Sequence, residues 1–216
     1  MKIEVTKTVS QNTTFFVFES GVKDLVQHCD VLQEYFSLRD FLGKKDALKD
    51  FLWKRKRILL VGLGKEREFN IHFFRDKVAE ISRWWRRSSA DSFEIYLDNL
   101  PVSQDLGQAV AEGIHLGLYT YSFKTEDKER QKHITTVRLI TKKNVAQGIT
   151  KGTILSESIN LTRYLVNSYS RFMTPERFAQ EVLTVARACK LSCKVFTKKD
   201  IQKLGMNALL AVSEGS

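Results

Sequence analysis

The sequence predicts an α/β fold: a mixed central sheet flanked by helices. Three observations carry this. Residues 57–61 (RILLV) form a short continuous apolar run that ends in Gly62-Leu63-Gly64, the pattern of a strand buried on both faces that turns into a loop. Residues 70–87 place Phe74, Val78, Ile81 and Trp85 at three- and four-residue spacing, the period of a helix with one apolar face. Strand-like and helix-like segments then alternate over roughly residues 1–145, as in a chain wound back and forth across a sheet.

The elements follow in order. Residues 2–8 and 14–19, rich in β-branched and aromatic side chains, read as strands. Residues 21–52 read as short helical patterns with a turn at Gly43. Asn70 is placed to cap the helix over 70–87, because its side-chain oxygen can accept from the first free amides. Residues 93–100 read as a strand closed by Pro101. Residues 103–119 read as a helix with Leu106, Val110, Gly113 or Ile114, and Gly117 along one face, its glycines suited to close packing against the sheet. A charged loop over 124–132 and a strand over 134–141 complete this part.

From about residue 146 the pattern changes. Residues 146–168 read as one long helix with Leu155, Ile159, Thr162 and Val166 on a common stripe. Thr174-Pro175 opens another, with Thr as N-cap and Pro at the first helical position, and with Phe178, Val182, Val185 or Ala186, and Cys189 as the face to be buried. Residues 193–196 read as a strand. Thr197 and Asp200 form a capping box for a short helix stopped by Gly205, and residues 206–212 read as a final strand. A lone strand there lacks neighbours for its backbone groups. Residues after about 170 are therefore expected to pack on the preceding domain, pair with another chain, or be poorly ordered.

Composition narrows the class. An apolar content of 43% and a charged content of 28% are those of an ordinary globular chain. No apolar run approaches a membrane span, and the N-terminus lacks the continuous apolar stretch of a secretory signal. Three cysteines, Cys29, Cys189 and Cys193, form neither an even set nor a Cys-x-x-Cys motif, which fits reduced thiols in a cytosolic protein. The formal charge of +10 divides into +5 over residues 1–150 and +5 over residues 151–216, a dispersed excess unlike the clustered footprint of a nucleic-acid binder.

The search for chemistry finds little. His28, His72, His115 and His133 never stand four residues apart, so no helical metal-binding pair exists. Gly62 and Gly64 lack the third glycine of a dinucleotide loop and the Lys-Ser/Thr of a P-loop. No serine elbow is present. Two basic runs, Lys54–Arg57 and Arg83–Arg87, admit two readings. Cations at a helix C-terminus complement its dipole. A phosphate-contacting patch with Trp84 and Trp85 stacking on bases would bind nucleic acid. The first reading is favoured, because Trp85 lies on the apolar face.

Several blocks, taken in order, carry a family resemblance: Leu60-Val61-Gly62-Leu63-Gly64-Lys65, then Ala111-Glu112-Gly113 through Leu116-Gly117-Leu118-Tyr119, then Asn160-Leu161-Thr162-Arg163-Tyr164-Leu165-Val166-Asn167. Met173-Thr174-Pro175, Lys203-Leu204-Gly205-Met206-Asn207-Ala208-Leu209-Leu210-Ala211-Val212 and Gly215-Ser216 follow. Over about residues 57–216 the chain resembles the leucyl (cytosol) aminopeptidases. Tyr164, Ser168-Tyr169-Ser170 and Asn207 depart from the family's usual residues, and the first 50 residues follow it only in general pattern.

The resemblance implies a macro-domain-like N-terminal domain over 1–145, a connecting helix and turn over 146–172, and the incomplete start of an α/β catalytic domain over 173–216. It implies a cytoplasmic hexamer that removes N-terminal residues such as leucine from peptides. Two divalent ions, manganese or zinc, would activate the attacking water there. The family's metal-binding lysine and carboxylates stand in motifs this chain does not contain. Lys151-Gly152 has no Asp-x-Gly-Gly after it and reads as a surface pair at a helix start; the chain holds no Gly-Gly pair and no acidic-Gly-Arg triplet. No catalytic, cofactor-binding or metal residue is therefore expected here, and the chain should be inactive alone, serving assembly or access. The alternative function is a nucleic-acid-binding module; an ADP-ribose-type ligand site rests on fold analogy alone.

Overall fold

The computed structural model describes residues 1–9, 12–23, 41–88, 90–101, 105–122 and 133–214. It divides into two compact units, Met1–Thr162 and Arg163–Ser216. The first contains β1 (Lys2–Thr6), β2 (Thr13–Phe18), β3 (Leu48–Trp53), β4 (Lys56–Gly64), α1 (Ile71–Arg87), β5 (Ser92–Tyr96), α2 (Leu106–Leu118) and β6 (Thr136–Ile140). Helix α3 (Ala146–Asn167) begins in this unit. The strands form one mixed sheet in the order β1-β6-β5-β2-β4-β3. All pairings are parallel except β3–β4, which is antiparallel.

The central strands are apolar on both sides, as the run at 57–61 requires. On one face Phe16, Leu59, Val61, Phe93, Ile95, Val137 and Leu139 pack against Phe74, Val78, Ile81 and Trp85 of α1 and against Val110 and Ile114 of α2. Burying each such side chain contributes about 1.5–3 kcal/mol. On the other face Phe15, Val17, Ile58 and Leu60 form a smaller core with Phe41 and Phe51. Asn70 caps α1 as the sequence predicts, its Oδ1 accepting from the amides of His72 at 2.8 Å and Phe73 at 3.3 Å.

Residues 48–53 depart from the expectation of short helices. They form an edge strand, because Lys54 and Arg55 make a two-residue hairpin loop and Trp53 pairs with Lys56. Both loop residues are left-handed, with φ of 45° and 68°. That conformation suits a two-residue hairpin, but asparagine and glycine are its usual occupants, so the sequence carried no hairpin signal. Residues 24–40 of the same stretch, and the charged loop at 124–132, lie outside the described residues.

The glycines of α2 do approach a neighbour closely, but the neighbour is α1 rather than the sheet. A methyl group on Gly113 would lie 2.6 Å from Val78 Cβ, and one on Gly117 would strike the backbone of Ala79. Helix α3 repeats the device. Gly148 and Gly152 lie against Gly107, Gln108 and Ala111 of α2, and Ser156 one turn on is fully buried. The stripe of Leu155, Ile159 and Val166 instead points outward, Val166 being 78% exposed.

The second unit contains α4 (Pro175–Ala188), α5 (Lys198–Lys203) and α6 (Asn207–Ser213). Thr174 caps α4 by accepting from the Arg177 amide at 3.3 Å, with Pro175 in the first turn, and Thr197 and Asp200 form the expected capping box. Three expectations fail. Of α4 only Ala186 is buried, while Phe178 and Val182 are exposed. Residues 193–196 form no strand. Residues 207–213 are helical. The last follows from local chemistry: a strand needs a neighbour for its backbone groups, a helix satisfies its own, and Ala-Leu-Leu-Ala favours the helix.

Two measurements check these features by chemical unfolding. Gly113→Ala should lower stability by about 1–3 kcal/mol, because the added methyl overpacks a helix contact. Replacing Lys54-Arg55 by Asn-Gly should raise it by about 1 kcal/mol, by relieving left-handed strain.

Candidate functional site

Strands β4, β5 and β6 are parallel and are followed by α1, α2 and α3. The starts of the three helices therefore gather at the carboxyl edge of the sheet, the place where open α/β sheets bind ligands. Two adjoining cavities of about 350 and 340 Å³ lie there and share Asp105, Gln108 and Lys151. His72 and Arg75 line one; Asn144 and Gln147 line the other.

Two of the charges in this groove, Arg75 and Glu112, are paired with each other. Glu112 is buried to 8% exposure, accepts from Gln108 Nε2 at 2.7 Å and lies 3.6 Å from the Arg75 guanidinium. A buried carboxylate needs such partners. The Ala111-Glu112-Gly113 block thus has a structural meaning: Glu112 fastens α1 to α2, and Gly113 with Gly117 lets the helices meet. The loops at the same edge are also tied down. Lys143 Nζ donates to the carbonyls of Leu97 at 2.8 Å and Asp98 at 3.1 Å, and to that of Leu100. Asp98 accepts from Thr141 Oγ1 and from the Lys142 amide, both at 2.8 Å. Burial lowers the Lys143 pKa, against which Asp98 acts. Neither the Glu112 network nor the Lys143 clamp was anticipated. Gln108 and Glu112, four apart on one helix, were the one available signal.

The described histidines singled out in the sequence do not share one site. His72 lines the groove and is exposed, His115 is half-buried on α2, and His133 is exposed. His28 and Cys29 lie outside the described residues. Cys189 and Cys193 are exposed free thiols. Among the described residues no group of three or more His, Cys, Asp or Glu side chains could hold a metal ion. Lys151-Gly152 lies in the second turn of α3: Lys151 is exposed and lines the groove, whereas Gly152 is buried against α2.

The basic runs are built into the fold. Trp85 is fully buried, donates from Nε1 to Thr14 Oγ1 at 2.8 Å and stacks on Phe93 at 5.6 Å between centroids. The Arg57 guanidinium covers the Trp84 ring at 4.7 Å and bonds Asp50 at 2.9 Å. Arg86 donates to the Tyr119 carbonyl at 3.3 Å. Trp85 is therefore closed to bases, and Trp84 lies beneath a cation.

A mixed sheet with helices crowded at its carboxyl edge, continuing into a helical second unit, defines the class; comparison with known proteins supplies the family. Residues 21–127 match the family model described as "Cytosol aminopeptidase family, N-terminal domain", and residues 160–216 match "Cytosol aminopeptidase family, catalytic domain". A probable cytosol aminopeptidase of Aquifex aeolicus is 28% identical over 100% of this chain and 45% of its own length. One from Persephonella marina is 33% identical over 76% of this chain and 34% of its own. Among solved structures, the bottromycin maturation enzyme BotP is similar with a TM-score of 0.74 at 25% identity, over 96% of this chain and 44% of BotP; a complex of that enzyme with Mn is similar too. The chain belongs to the cytosol aminopeptidase family. It spans less than half the length of these relatives.

His115 yields a test by pH. Burial lowers its pKa, the nearby Glu157 opposes this, and the chain's amino terminus adds to the lowering. A histidine with a depressed folded-state pKa penalises folding once both states are protonated. The penalty is thus absent above the unfolded value near 6.5, grows as pH falls from there to the lower folded value, and is complete below it. His115→Gln should make the loss of stability between about pH 7 and pH 5 shallower. Urea midpoints at the two pH values measure this, and parallel slopes in variant and parent would refute it.

Proposed function

We propose that this chain is the N-terminal part of a metal-dependent leucyl aminopeptidase, and that it has no hydrolytic activity by itself. One observation carries the reading: both domain models of the family match in one chain, in order, the catalytic one at residues 160–216. In this reading residues 1–145 form the N-terminal domain, 146–172 a connecting helix and turn, and 173–216 the first elements of the catalytic domain. The whole enzyme takes peptides as substrates and removes N-terminal residues such as leucine. Two divalent ions, manganese or zinc, serve as cofactors; the manganese complex of BotP supports metal use. The metal-binding lysine and carboxylates belong to sequence that this chain does not contain.

The N-terminal domain then serves assembly into a hexamer and access to the catalytic centre. The Arg75–Glu112 pair, which ties α1 to α2 at the carboxyl-edge groove, supports such a structural role. The exposed Phe178, Val182, Leu204, Leu209 and Val212 are the surface that the remainder of a catalytic domain would cover. Cytoplasmic residence fits the free thiols, and among the described residues no helix is long and apolar enough to cross a membrane.

Hydrolysis of leucine p-nitroanilide in the presence of manganese tests the proposal. The 216-residue chain should show no turnover, whereas a longer chain that includes a whole catalytic domain should turn over and lose activity to a chelator. Turnover by the short chain would overturn its proposed inactivity; a silent longer chain would overturn the proposed reaction.

A further inference from the structure

We infer that the outer edge of β3, with the tip of the β3–β4 hairpin, is a docking strip for an extended polypeptide segment in which apolar and acidic residues alternate. Strand β3 ends the sheet, and among the described residues no strand lies beyond it. An edge strand is a template for another strand, and folded proteins usually blunt it with charge or proline. Here the row on one side of β3 is Leu48, Asp50 and Leu52, with the two leucines 45% and 71% exposed. Asp50, the acid between them, is bonded to Arg57 at 2.9 Å.

The opposite side of β3 is basic. Lys49 alternates with the leucines and shares a side with Phe51, which is buried in the smaller core. Lys54 and Lys56 lie over the ring of Trp53, on that same side, at 4.6 and 5.9 Å. Arg55 stands exposed at the tip. The left-handed Lys54 and Arg55, with φ of 45° and 68°, hold two bulky cations where asparagine and glycine would be less strained. Strain of this kind persists where another demand fixes the residue; here the demand is positive charge at the end of an edge strand.

The pattern selects its partner. A segment added beside β3 sends alternate side chains to the two faces. One set meets Leu48 and Leu52 and must be apolar; the other meets Lys49 and the lysine-rich tip and must be acidic. A second copy of β3 would add lysines to a side that already carries them, and like charges brought close are unfavourable.

The test titrates the 216-residue chain with a blocked eight-residue peptide of alternating valine and glutamate, read by amide NMR and calorimetry. The peptide should shift the amides of residues 48–53, and raising salt to about 0.5 M should weaken binding. Leu52→Glu, at an exposed position, and Lys49→Glu, at a half-buried one, should each weaken binding by about tenfold or more, and Leu52→Glu should leave the melting temperature unchanged. A valine–lysine peptide should not bind. The inference is overturned if the valine–glutamate peptide fails to bind, if the two peptides bind alike, or if Leu52→Glu has no effect. Sedimentation showing that a second copy of the chain already occupies β3 would overturn it as well.

Discussion

The contact between α1 and α2 is the constraint on which the first unit depends. The two helices cover one face of the sheet side by side, and they can do so only where Gly113 and Gly117 carry no side chain. That approach sets where α1 lies across the sheet, and therefore which apolar residues of β2, β4 and β5 meet Phe74, Val78, Ile81 and Trp85. It also brings Arg75 to Glu112, so a carboxylate that would be costly to bury alone is held by a cation and an amide. The next layer is built the same way, with α3 laid on α2 through Gly148 and Gly152. Helix α2 is thus packed on three sides, which explains why so much of it is buried although it includes a glutamate.

Much of this was legible in the residues. The 3.6-residue period of Phe74, Val78, Ile81 and Trp85 names the buried face of α1, and Asn70, Thr174 and the Thr197–Asp200 pair mark helix starts because their side chains can do little else there. The apolar run at 57–61 gives a central strand for the same reason. What failed shows where such reasoning stops. Leucine at 155 and isoleucine at 159 suggest an inward stripe, yet α3 packs through Gly148, Gly152 and Ser156. Hydrophobicity does not register a contact made by backbone against backbone. The β3–β4 hairpin was hidden because its loop uses Lys54 and Arg55 in place of the residues that usually announce such a turn.

At the candidate site the balance differs. The groove at the carboxyl edge was not readable from the sequence. It is made of side chains from three helices far apart in sequence, and a single chain read along its length gives no sign that Arg75, Gln108 and Lys151 share a wall. The second unit marks another limit. Its helices follow their local signals closely, but the apolar face of α4 was expected to be buried and is open. Local propensity specifies an element; it does not supply the surface against which the element packs.

Trp85 has an optical consequence. All three tryptophans of the chain, Trp53, Trp84 and Trp85, belong to the first unit. The Trp85 indole is shielded from water, hydrogen-bonded to Thr14 and stacked on Phe93, so its emission is that of a dry, fixed chromophore. Tryptophan fluorescence therefore reports the integrity of the sheet and α1 alone. The helices after Arg163 contain no tryptophan, so a change confined to them alters helical circular dichroism while the tryptophan emission stays constant.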